Sequence, residues 1–144
     1  MKRLIYSLAF FVCVAAGTPA FAQQSGGLRV EFQGPGGHSS GAYGRVSALH
    51  AAARAVILIQ QALPSGSYQI TNLTGGNSVN SIASDGLIEM KLTAANAAAY
   101  KTLVEAVTKA AAEGAAAENA FRGVKAGDLT AGAPATVRSS VTPF

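Results

Sequence analysis

A single histidine stands behind a run of glycines in Gly34-Pro35-Gly36-Gly37-His38-Ser39-Ser40. Glycine has no Cβ, so such a loop can turn tightly and come close to another surface. An imidazole held there can donate a hydrogen bond or carry a proton near neutral pH. A second glycine segment, Gly75-Gly76-Asn77-Ser78-Val79-Asn80-Ser81-Ile82, offers backbone N–H groups that could nest an anion. Each motif alone is a weak signal. By itself His38 reads as an exposed loop histidine bonding nearby backbone, and Asn80 as a turn residue bonding its own backbone. His50 falls at the start of a helical pattern and reads as an edge-of-core or interface residue. The acids show no H-x-D or Glu-Glu spacing, so neither a zinc site nor a general acid/base pair is apparent.

The chain has 144 residues and a net charge of +4. Lys2 and Arg3 precede an uncharged apolar run from Leu4 to Ala16, which is too short to span a bilayer. Gly17 and Pro19 break the run, and Ala20-Phe21-Ala22 has the form of a cleavage site. This is the pattern of a secretory signal peptide over residues 1–22, with cleavage after Ala22 and export to the periplasm or beyond. Cleavage would remove Cys13, the only cysteine, and with it disulfides and thiol chemistry. It would also remove two of 11 basic residues, leaving nine against seven acids, a net +2. No basic stripe remains for nucleic acid, and neither helical pattern has a basic face for a membrane surface. The remaining length suits one domain with a real core. Without Trp, that core must rely on Leu, Ile, Val and many Ala.

The elements that would position the two motifs are legible in outline. After a lead-in at 23–27, Leu28 to Gln33 alternates, with Leu28, Val30 and Phe32 on one face of a strand. Val46 to Leu63 reads as a helix with a stripe of Val46, Leu49, Ala53, Val56, Ile57, Gln60 and Leu63. Tyr68 to Thr74 is a second strand whose phase slips near Asn72, as a bulge would make it. Leu87 to Leu92 is a third. Asn96 to about Glu113 is a second helix, with Tyr100, Leu103, Val104, Val107 and Ala111 inward and Gly114 a plausible stop. The order predicts an α+β fold, a ferredoxin-like plait: a four-stranded antiparallel sheet with both helices on one face. The last strand is the uncertain part. In the irregular tail over 120–144, only Ala135 to Val141 resembles one, with poor alternation.

Strand, histidine loop, helix, strand and asparagine loop, in that order, resemble the dimerisation or lid domain of zinc metallopeptidases of the aminoacylase and carboxypeptidase type. The resemblance covers about 28–119. Those enzymes hydrolyse peptides and N-acyl amino acids, and a separate catalytic domain binds two zinc ions. The resemblance implies that His38 would reach the active site of a partner subunit. There it would donate a hydrogen bond to the carbonyl oxygen that becomes an oxyanion. It implies that Asn80 would hold substrate beside the Gly75-Gly76 turn. The departures are as informative. The catalytic domain has no counterpart here, so no cofactor is expected; zinc would sit only in a catalytic partner. Where similar proteins end the third strand in an arginine able to grip a carboxylate, this chain has Thr93, which cannot make a bidentate clamp. The family's last lid strand would give way to Ala131-Gly132-Ala133-Pro134.

Three readings follow. The first is a secreted, non-catalytic lid-like domain that forms a homodimer through a free sheet edge. The second is a fragment or separate subunit of a hydrolase, supplying His38 and Asn80 in trans. The third is a periplasmic module binding a small ligand at its glycine loops.

Overall fold

The computed structural model describes residues 22–38, 40–42 and 44–144. The apolar leader and Cys13 lie outside the described residues. The elements are β1 (Gln24–Gln33), β2 (Gly37–His38), α1 (Ala48–Ala62), β3 (Tyr68–Thr74) and β4 (Ser81–Ile82). They continue with β5 (Asp85–Ala94), α2 (Ala97–Phe121), β6 (Leu129–Thr130), β7 (Ala133–Pro134) and β8 (Arg138–Pro143). The main sheet runs β3-β5-β1-β8, antiparallel throughout, and the fold is the expected α+β plait.

The strands form where the alternation is strict. Leu28, Val30 and Phe32 of β1 and Ile88, Met90 and Leu92 of β5 are buried on one face beneath the helices. The register of β3 on β5 shifts between Ile70 and Asn72, the bulge foreseen from the broken phase. Each helix begins on a side-chain cap. Ser47 Oγ accepts from the His50 N–H at 3.3 Å, and Asn96 Oδ1 from the Ala99 N–H at 2.9 Å. Among the described residues no helix is long and apolar enough to cross a membrane.

Three expectations are corrected. The buried stripe of α1 is Ala48, Ala51, Ala52, Ala55 and Ile59, while Ala53 and Gln60 are exposed and Ile57 is 55% exposed. The helix is rotated so that its smallest side chains face inward, because α2 approaches it closely. Gly114 is the reason, and it is not a stop. It lies inside α2, where a Cβ would sit 2.8 Å from the Ala51 carbonyl oxygen and from the Ala55 nitrogen.

The third correction is the tail, which does close the sheet. Leu129-Thr130 and Ala133-Pro134 pair as a small hairpin, and the fourth strand follows at Arg138–Pro143, three residues later than the alternation suggested. Asn119 sets its start. The Asn119 Nδ2 donates to the Val137 carbonyl at 3.0 Å, and the Val137 N–H donates to Asn119 Oδ1 at 2.8 Å.

Candidate functional site

The pairings Gln33–Asp85 and Thr74–Leu87 put the ends of β1 and β3 beside the start of β5. The Ala48 N–H donates to the Ala83 carbonyl at 3.0 Å, so α1 begins at the same end. Both glycine motifs therefore emerge together. They are joined by the two-stranded ribbon of β2 and β4, with His38 opposite Ser81. Gly36 and Gly37 permit this. Both have positive φ, and a Cβ at Gly37 would meet the Ala42 Cβ at 2.7 Å.

The ribbon brings His38 and Asn80 into contact across 42 positions of sequence. Nε2 of His38 lies 3.1 Å from Nδ2 of Asn80. On the other side of the ring, Nδ1 receives the Ser40 main-chain N–H at 3.2 Å and lies 2.7 Å from Ser40 Oγ. A main-chain N–H can only donate, so Nδ1 is an acceptor and the neutral ring carries its proton on Nε2. An Nε2–H requires the amide oxygen of Asn80 toward it, which a half-turn of the amide supplies. That half-turn also directs the Asn80 nitrogen at Ser78 Oγ, its other partner. The result is an exposed imidazole whose Nε2–H donates to the Asn80 amide.

Gly75 and Gly76 lie beside this contact and not in it. They line a neighbouring cavity of about 440 Å³ with Arg45, Ser47, His50 and Arg122; His38 and Asn80 are not part of its lining. Thr93 is remote from both. It pairs with Ser25 at the opposite end of β5, so its lack of a guanidinium has no bearing on this site.

One buried ionic cluster beside the site was not legible in the sequence. Glu118, on α2, is completely buried beneath the start of α1. Oε1 accepts from the Ser47 N–H at 3.1 Å and from Arg122 Nε at 3.2 Å; Oε2 accepts from Arg54 Nε at 3.2 Å. Burial is the largest single influence and pushes the carboxyl pKa upward. The Ser47 N–H and the two guanidinium groups together outweigh it and hold the pKa below the usual carboxylate range. Arg54 and Arg122 both also lie over the Phe121 ring, 5.0 Å from its centroid. The spacing of Glu118 and Arg122 at i,i+4 is the one sequence signal that pointed to this cluster.

The sequence profile of the peptidase dimerisation domain matches residues 23–119. The chain belongs to this family. Solved structures share the fold. An aminobenzoyl-glutamate utilization protein from Klebsiella pneumoniae is 18% identical with a TM-score of 0.64, over 88% of this chain and 31% of its own. A tripeptidase from Staphylococcus aureus is 18% identical with a TM-score of 0.61, over 84% and 29%. A hydantoinase/carbamoylase family amidase from Burkholderia ambifaria is 20% identical with a TM-score of 0.64, over 87% and 28%. The domain thus spans less than a third of each. No curated protein matches the sequence. The metal implied by the resemblance does not fit these residues. No group of three or more His, Cys, Asp or Glu that could hold an ion occurs among the described residues.

Proposed function

We propose that this protein is an exported, non-catalytic dimerisation domain whose His38–Asn80 ribbon is offered to an active site carried by another chain. The observation that supports this most is the contact of Nε2 of His38 with the Asn80 amide on a ribbon at one end of the plait. In the free domain the Asn80 amide accepts the hydrogen bond of the exposed His38 Nε2–H. A substrate carbonyl arriving in a partner's site would take over that hydrogen bond as its oxygen gains charge. The chain supplies the donor and its orientation; the group that attacks the carbonyl belongs to the partner.

Dimerisation is supported by the free edge. β3 and β8 are the two edges of the sheet; among the described residues β3 pairs only with β5, which leaves one row of its backbone N–H and C=O groups open. α1 lies toward the same side and presents the exposed Ile57, and β3 itself exposes Leu73. Export is supported by the charged start, apolar run and Ala20-Phe21-Ala22 of the sequence.

The test is complementation. A zinc-dependent aminoacylase-type enzyme with its lid deleted is mixed with this protein, and kcat/KM is measured on an N-acyl amino acid. Addition is expected to raise the rate, and His38→Ala to lower the restored kcat/KM by about 10²- to 10³-fold. A restored rate indifferent to His38→Ala would overturn the in-trans role.

A further inference from the structure

The cavity beside the ribbon is lined by cations and by no acid. Arg45, Arg122 and His50 line it together with Gly75 and Gly76. Arg45 has no carboxylate within 4 Å among the described residues, so its charge is uncompensated there. Its Nη1 would lie 3.2 Å from a Cβ at Gly37, so the side chain reaches to the start of the ribbon. Arg122 spends Nε on Glu118, and its Nη2 lies 3.5 Å from His50 Nδ1. A guanidinium only donates, so His50 Nδ1 accepts and the neutral ring keeps its proton on Nε2. The carboxylate of Glu118 lies beneath, with both oxygens already occupied by Ser47, Arg122 and Arg54. The remaining donors, the Arg45 guanidinium, the Arg122 N–H groups not given to Glu118 or His50, and His50 Nε2–H, have no hydrogen-bond acceptor among the described residues.

The geometry points to a binding site for a small oxyanion, a carboxylate or phosphate group, gripped by Arg45 and Arg122 over the Gly75-Gly76 turn. Guanidinium groups suit both anions, because their paired N–H donors match two oxygens at once. The volume admits an anion with a short organic body. The inference stands apart from the catalytic partner proposed above, since every residue it uses is in this chain. A protein that fails to complement any hydrolase can still bind here.

The test is calorimetric titration of the purified protein with inorganic phosphate and, separately, with N-acetylglutamate, at ionic strength fixed with chloride. Amide NMR shifts are followed in parallel. One or both are expected to bind with a dissociation constant of about 1 mM, moving the Arg45, Gly75 and Gly76 signals. The tighter of the two identifies the anion as phosphate or carboxylate. Arg45→Gln is the decisive variant, because Arg45 holds no part of the fold together. It is expected to weaken binding about tenfold with an unchanged melting temperature. Absence of binding by both anions at about 20 mM would overturn the site. So would binding unaffected by Arg45→Gln, or shifts confined to residues outside the cavity, either of which would show non-specific anion association.

Discussion

Glu118 carries its charge where no water reaches it, and that charge is useful only while it is ionised. Its pKa in the folded chain lies below the unfolded value of about 4.3. The stability it contributes is therefore fully present above that unfolded value. It is lost as pH falls through the lower, folded value. Glu118→Gln preserves shape and removes the charge. At pH 7 the variant is expected to be about 1–3 kcal/mol less stable by urea denaturation. The loss stays well short of a fully buried pair's because both arginines keep some access to water. On acidification below about pH 4 the gap between the two proteins should close. A gap constant from pH 7 to pH 3 would mean that Glu118 is not the ionised group described. His38 is the contrasting residue. It is exposed, and among the described residues its ring bonds only Ser40 and Asn80, so His38→Ala should change stability by less than about 0.5 kcal/mol. The same melting curve would separate a functional histidine from a structural one.

At the scale of elements, the crossing of α1 and α2 turns on Gly114. Helix propensity alone says that alanine should stabilise this position by about 1 kcal/mol. The packing says otherwise, because the added methyl would meet the Ala51 carbonyl and Ala55 backbone, which cannot move aside as a side chain can. Gly114→Ala is expected to cost a net 1–3 kcal/mol, roughly the cost of overpacking a tight core. Chemical denaturation checks it, and a gain in stability would show that the helices can part freely. The same crossing explains why the α1 face was misread. Alanine carries little hydropathy, so the sequence periodicity points to Ile57 and Val56 over Ala51 and Ala55. β1, β5 and the slip near Asn72 were legible because period-two alternation survives in the sequence. β8 was not, because its position is fixed by Asn119, 18 residues upstream, more than by its own pattern. His38 and Asn80 could be singled out as motif residues. Their contact, and the meeting of Arg45, His50, Arg122 and Glu118, exist only once distant segments have folded together.

For the whole molecule, the family match ends at residue 119 while the sheet does not. β8 covers the edge of β1 and begins just after the buried Val137. A chain cut after residue 124 would uncover β1 from Leu28 to Gln33 and lose the partner of Asn119. It is expected to lose its cooperative thermal transition and to associate through the bared strand. A sharp transition near that of the full chain would show that three strands suffice. The start of β1 and the end of β8 also lie together, with Leu28 opposite Pro143 and the Phe144 N–H donating to the Gly27 carbonyl at 3.2 Å. They sit at the end of the plait away from the His38 ribbon. A domain whose two ends emerge side by side can be spliced into a host chain like a bead on a loop, with its working tip left free. In that tethered form, a short connection would keep the tip near its target at an effective concentration of about 1 mM. Untethered, a tip of this kind would have to be delivered by affinity alone, and the surface supplying that affinity would become part of the working apparatus.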